Sequence, residues 1–150
     1  MDLASAATIL LAEDNEDDVV LTQRAFKRAR VINPLQVVRD GQAVLEYLEG
    51  RDAFGDRKKF PIPCLILLDL HMPRKNGFEV LQWIRAHQTF KRLLVVVLTS
   101  SRVSPDINKA YDLGANSYLV KRTADELIEM LRGLQGYWLF LNQPPQTALR

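Results

Sequence analysis

The sequence predicts an α/β protein built on a doubly wound, five-stranded parallel sheet with helices on both faces. Three observations lead there. Short apolar runs alternate with segments of helical periodicity five times along the chain, the pattern of strands joined by crossover helices. Two of the runs, residues 64–68 and 93–98, are apolar without a break, as central strands covered on both faces must be. The length, 150 residues, suits one domain with a small surplus.

Each element has its own local reason. Residues 8–12 form an apolar run bounded by acids and read as the first strand. Over residues 16–30, Val19, Val20, Leu21, Phe26 and Ala29 recur at near-helical spacing, and Asn33-Pro34 stops the helix. Residues 35–38 are a second strand. Asp40 can cap a helix whose apolar face is Ala43, Val44, Leu45, Tyr47 and Leu48, and Gly50 ends it. Residues 51–61 are polar and basic and read as a loop, longer than the usual connection of about two to six residues. The third strand, 64–68, runs into a turn-rich stretch, 69–77. A helix follows with Phe78, Val80, Leu81, Trp83 and Ile84 at core spacing; His87 near its end reads as a surface residue. The fourth strand, 93–98, leads into Thr99-Ser100-Ser101. Ser104-Pro105 opens the next helix, with proline in its first turn, and Gly114 closes it. Residues 117–120 are the last strand and 124–140 the last helix.

Composition narrows the function. Twenty Lys+Arg against 18 Asp+Glu give a formal charge of +2, without the basic surplus typical of nucleic-acid binding. Hydrophobic residues at 47% support a real core. One cysteine, Cys64, excludes an intrachain disulfide and a cysteine-built zinc site. No apolar run is long enough to span a membrane, and the first eight residues lack the character of a signal peptide. The expectation is a cytoplasmic single domain, 1–150, with an extended C-terminal helix and tail.

In open α/β sheets, ligands bind beyond the carboxyl ends of the strands. Glu13 and Asp14 follow the first strand, Asp69 the third, Thr99 and Ser100 the fourth, and Lys121 the fifth. Three carboxylates, a hydroxyl and an ammonium thus converge on one edge. Five of the six residues 13–18 are acidic. Glu16, Asp17 and Asp18 fit a helix's first turn, where acids are favoured; Glu13 and Asp14 precede it and need another reason. Clustered carboxylates repel one another unless a cation is present. Oxygen ligands without His or Cys suit Mg²⁺. A carboxylate beside Mg²⁺ can attack a phosphoryl group, with Thr99 and Lys121 placed to meet its oxygens.

These residues resemble the receiver domains of two-component response regulators. The likeness covers roughly residues 8–133. It rests on Glu13-Asp14, the Asp69-x-x-Met72-Pro73-x-x-x-Gly77 motif, Thr99-Ser100, Tyr118 and Lys121. It implies a flavodoxin-like sheet of strand order 2-1-3-4-5. It implies that Asp69 accepts a phosphoryl group from a sensor histidine kinase. It implies that Asp14, Asp69 and the backbone carbonyl of His71 hold Mg²⁺ while Glu13 acts through a water, and that Thr99 and Tyr118 are switch residues. The His71 side chain, two positions past Asp69, could shield or admit water. The long loop after Gly50, the Pro73-Arg74-Lys75 turn and the Tyr137-Trp138-Leu139-Phe140 tail look like the single-domain regulators that partner bacterial phytochromes. That implies a phytochrome as kinase and a homodimer, paired through the fourth helix, fifth strand and fifth helix.

One position departs from the family. The lysine is usually followed by proline through a cis bond, and here Arg122 follows Lys121. Either that bond is cis, at a cost of about 3 kcal/mol for a non-proline residue, or it is trans and Lys121 reaches the pocket by another route. The tail aromatics have two readings, packing back on the domain or anchoring an interface. Two other functions compete: a docking module that is never phosphorylated, and a Mg²⁺-dependent phosphatase with an aspartyl-phosphate intermediate. The phosphatase reading is disfavoured because His71 stands where such enzymes carry a second acid. A nucleotide- or flavin-binding module would need a glycine-rich turn after the first strand, where the acids stand.

Overall fold

In the computed structural model, which describes residues 7–145, five parallel strands form one sheet. They are β1 (Ile9–Ala12), β2 (Leu35–Val38), β3 (Leu65–Leu68), β4 (Leu94–Thr99) and β5 (Ser117–Val120), in the order β2-β1-β3-β4-β5. The helices are α1 (Glu16–Arg28), α2 (Gly41–Glu49), α3 (Gly77–Ala86), α4 (Ser104–Asp112) and α5 (Ala124–Leu134). The opening residues read for a signal peptide, except Ala7 and Thr8, lie outside the described residues, as do the last five of the tail.

Hydrophobic pattern and position in the sheet agree. All residues of β1, β3 and β4 are buried, whereas the outer strands β2 and β5 are largely half-buried. Alternate residues feed two cores. Leu10, Ile66, Leu68, Val95 and Val97 pack with residues of α2, α3 and α4. Ile9, Leu11, Leu65, Leu67 and Val96 pack with α1 and α5. Each large aliphatic side chain taken fully out of water stabilises the fold by about 1.5–3 kcal/mol before entropy is counted.

The helix caps lie at the residues whose chemistry predicts them. The Asp40 side chain accepts from the Ala43 N–H at 2.7 Å, and Gly50 closes α2 in the left-handed region. Asn76 and Glu79 form a reciprocal capping box at the start of α3. The loop after α2 holds more structure than its polar composition indicates. It contains a 3₁₀ turn, Asp52–Phe54, and an aromatic cluster of Tyr47, Phe54 and Phe60. Arg57 donates to the carbonyls of Tyr47 and Leu48 at the end of α2 and to that of Phe60 in the loop, tying the two together. Tyr47, wholly buried, donates its O–H to the Pro61 carbonyl at 2.9 Å.

Two expectations change. His87 is half-buried rather than a plain surface residue: its ring packs against Trp83 and Phe90, and its Nδ1 accepts from the Thr89 N–H. The last helix is α-helical only to Leu134 and continues as a π-helix over Gln135–Leu141. That wider coil divides the tail aromatics. Trp138 packs with the α1/α5 core and Leu139 is buried in it, while Tyr137, Phe140 and Leu141 are exposed.

Candidate functional site

The site is positioned by backbone ladders that run past the ends of the strands. The Glu13 N–H donates to the Val38 carbonyl, the Asp69 N–H to Ala12 and the Lys121 N–H to Thr99. Each functional side chain therefore leaves a backbone already fixed by its neighbour strand. Asp69 is held from below as well. Gly77 donates to the Leu70 carbonyl at 2.9 Å, and any Cβ at Gly77 would collide with the Asp69 carbonyl. That close approach is why the motif ends in glycine. Gly41 has a similar role: a Cβ there would strike the Lys75 carbonyl, so the start of α2 lies directly on the loop that follows Asp69.

Glu13, Asp14 and Asp69 converge, with one oxygen from each within 4.8 Å of the others. Glu13 and Asp69 are buried and Asp14 is exposed. The Lys121 ammonium lies among them. It donates to Glu13 in a short contact, to Asp18 Oδ2 at 3.0 Å and to Asp69 Oδ2 at 3.5 Å. Among the described residues no peptide bond is cis, so Lys121-Arg122 is trans and the lysine reaches the pocket from a trans loop.

The electrostatics follow from burial and crowding. Burial pushes the Glu13 carboxyl up to about 7; the neighbouring Asp69 charge adds to this, and the contact with Lys121 opposes it. Burial alone would lower Lys121, but Glu13, Asp69 and Asp18 outweigh it and hold its ammonium above the usual value. Four carboxylates around one ammonium leave an excess of negative charge. The fit to a divalent cation is good: hard oxygen donors, a buried acid that resists ionisation without one, and an open side at Asp14.

The remaining predicted residues lie around this centre. Thr99 is wholly buried at the end of β4, and its Oγ1 accepts from the Ser101 N–H at 3.4 Å. Ser100 is exposed. Tyr118 donates its O–H to the Ser101 carbonyl at 3.0 Å, and burial, with the charges of Asp106 and Asp69, holds its hydroxyl above the usual value. The His71 N–H points to Asp69 Oδ1 at 3.5 Å, while its side chain is exposed, with Nε2 3.9 Å from Asp106. Asp106 in turn accepts from the Ser101 hydroxyl at 2.6 Å. Sequence reasoning missed two residues, Asp18 and Asp106. Both sit in the first turn of a helix, where an acid is already explained. The available signal for Asp18 was its place in the first turn of α1, directly after the strand end that carries Glu13 and Asp14.

An acid triad and a lysine at the carboxyl ends of a 2-1-3-4-5 sheet are the arrangement of a receiver domain. The sequence matches the response regulator receiver domain over residues 9–132, and the chain belongs to that family, as a signalling protein rather than a conventional enzyme. Within it, the chain is similar to phytochrome response regulators. The response regulator Rcp1 of Synechocystis sp. is 39% identical over 132 residues, 87% of this chain and 88% of Rcp1. A solved Mn²⁺-bound form of Rcp1 has a TM-score of 0.80 at 36% identity, covering 93% of this chain and 99% of that one. RPA3017, a response regulator in red light signalling of R. palustris, has a TM-score of 0.88 at 36% identity, covering 93% and 98%. The phosphorylated cyanobacterial phytochrome response regulator RcpA has a TM-score of 0.84, also at 36% identity, covering 93% and 99%. Among the described residues no helix is long and apolar enough to cross a membrane.

Proposed function

We propose that this chain is a stand-alone cytoplasmic response regulator that takes a phosphoryl group onto Asp69 from a sensor histidine kinase, a phytochrome, and passes the signal on by protein contacts. One observation carries the reading: the buried Asp69 carboxylate shares a pocket with Glu13, Asp14 and the Lys121 ammonium. In the transfer, an Asp69 oxygen forms a bond to phosphorus as the phosphorus–nitrogen bond of the donor phosphohistidine breaks, and the imidazole leaves. Asp14, Asp69 and the His71 carbonyl, with Glu13 acting through a water, would hold Mg²⁺, which when bound offsets the carboxylate repulsion and the charge on the phosphoryl oxygens. Lys121 pairs with a phosphoryl oxygen, and the Thr99 hydroxyl donates to another. Thr99 and Tyr118 then act as the switch. The exposed His71 side chain stands at the pocket's mouth, where it can hinder the water that hydrolyses the acyl phosphate.

The output is binding to another protein or to a second copy, without nucleic acid. Two copies pair through the face of α4, β5 and α5, and the exposed Tyr137, Phe140 and Leu141 beyond the end of α5 support self-association. The test is labelling by a small phosphodonor with Mg²⁺. The wild type takes one phosphoryl group per chain and Asp69→Asn none. Label that persists in Asp69→Asn sinks the assignment. Absence of label in the wild type, with its fold intact, leaves the docking module as the surviving function.

A further inference from the structure

The pocket holds one acid more than the cation needs. Asp18 is not among the carboxylates that converge as a metal-competent group, yet its Oδ2 accepts from Lys121 at 3.0 Å, closer than Asp69 at 3.5 Å. Its placement is firm. The Asp18 N–H donates to the Asn15 cap at 3.0 Å, and its carbonyl accepts from the Thr22 hydroxyl at 2.7 Å. One turn of α1 is thereby locked so that its carboxylate faces a lysine 103 residues away.

Lys121 has three N–H donors, and the three acids Glu13, Asp18 and Asp69 meet them. A cation held by Asp14 and Asp69, with Glu13 reaching it through a water, competes for two of those partners, Glu13 and Asp69. Asp18 is then the one partner still free to hold the lysine. The loop offers no substitute, because Arg122 follows Lys121 through a trans bond. We propose that Asp18 is a positioning residue for phosphoryl transfer: it keeps the Lys121 ammonium over the pocket when a divalent cation has taken the other carboxylates. The inference rests on the phosphoacceptor reading of Asp69 and names a residue that acts through another, not on the substrate.

The experiment pairs Asp18→Asn with Lys121→Ala and the double variant. Asn keeps the side chain's shape and the backbone bonds of the cap, and circular dichroism checks the fold. Phosphorylation by phosphoramidate is timed at saturating Mg²⁺, and Mg²⁺ affinity is measured separately by calorimetry without phosphodonor. Asp18→Asn is expected to slow labelling about tenfold, equivalent to about 1.4 kcal/mol, with Mg²⁺ affinity unchanged within about twofold. In the Lys121→Ala background it should change nothing further, because its lever is gone. Labelling at or above the wild-type rate overturns the proposal, and so does a loss that adds to that of Lys121→Ala. A loss of Mg²⁺ affinity of about fivefold also overturns it, by making Asp18 part of the metal site. A wild type that takes no label overturns the phosphoacceptor reading itself, which separates the two failures.

Discussion

Replacing Glu13 by glutamine tests the electrostatics of the pocket without phosphorylation. Glu13 is 2% exposed, and its carboxyl is pushed from the usual 4.5 up to about 7, first by burial. At about 1.4 kcal/mol per pH unit, that gap costs the metal-free fold about 3 kcal/mol at pH 8. The sign follows from proton binding. Between pH 4.5 and 7 the folded state keeps the proton that the unfolded chain has lost, so this contribution to stability falls as pH rises; above pH 7 the full cost remains. A glutamine in this position carries no such cost. It weakens the bond to Lys121 and loses the acceptor for the Asn15 N–H, made at 3.1 Å, a loss of about 1 kcal/mol. Glu13→Gln should therefore be more stable than wild type by about 1–2 kcal/mol at pH 8 in chelator. At pH 5.5 the wild-type cost is smaller by about 2 kcal/mol, and the advantage disappears. Urea unfolding of both proteins at the two pH values gives the double difference, in which groups common to both cancel. An equal difference at pH 5.5 and pH 8 would refute the argument. Adding Mg²⁺ at pH 8 should reverse the order, since the wild type gains binding energy that the variant has lost.

Three further outcomes are expected. Gly77→Ala forces a methyl against the Asp69 carbonyl, so denaturant unfolding should show a loss of about 1–3 kcal/mol, with slower Asp69 labelling than an equally destabilised core variant. Arg57→Ala takes the guanidinium donor from the carbonyls of Tyr47, Leu48 and Phe60, of which Tyr47 keeps the Gly50 N–H, at about 1–3 kcal/mol; amide exchange should rise first between residues 50 and 61. Tyr137→Ser with Phe140→Ser removes two exposed rings without touching buried Leu139, and sedimentation should then show weaker self-association with an unchanged circular dichroism spectrum.

The fold was legible because its signals are local. Unbroken apolar runs mark β3 and β4, and Asp40, Gly50 and Ser104-Pro105 mark helix ends through their own backbone chemistry. The acid triad and Lys121 were legible because topology alone brings strand ends together. The residues that escaped notice do two things at once. Asp18 satisfies the first turn of α1 and also holds Lys121; Asp106 does the same in α4 and also accepts from Ser101. Arg57 looked like part of a basic loop, because nothing local shows that its guanidinium folds back onto helix carbonyls. The π-helix over Gln135–Leu141 has no periodic signature in seven residues, so the split between buried Leu139 and exposed Phe140 could be read only from the structure.

In the proposed switch, Ser101 is the junction between pocket and surface. Its N–H reaches Thr99, its carbonyl accepts from Tyr118, and its hydroxyl donates to Asp106 at the start of α4. Asp106 also faces His71, whose N–H points to Asp69. One short route thus connects Asp69 to α4 through His71 and Asp106, and a second chain of contacts runs to the same Asp106 from the end of β4 through Thr99 and Ser101. The phosphoryl oxygens carry a charge of about −1.5 to −2, set against the one negative charge that the Asp69 carboxylate gives up in forming the acyl phosphate, and they land where Lys121 is already shared among three acids. The Thr99 hydroxyl is a neutral donor at the end of β4, and its Oγ1 accepts only a long bond from the Ser101 N–H, at 3.4 Å. Moving Thr99 toward the phosphoryl group releases that bond and unsettles Ser101, on which both Tyr118 and the first turn of α4 depend. A full reversal of a 1:99 population needs about 5.5 kcal/mol. One neutral bond, at about 1 kcal/mol, cannot supply that. The charge-assisted contacts of Lys121 must carry most of it, which is why its anchoring by Asp18 bears on the switch as well as on the transfer.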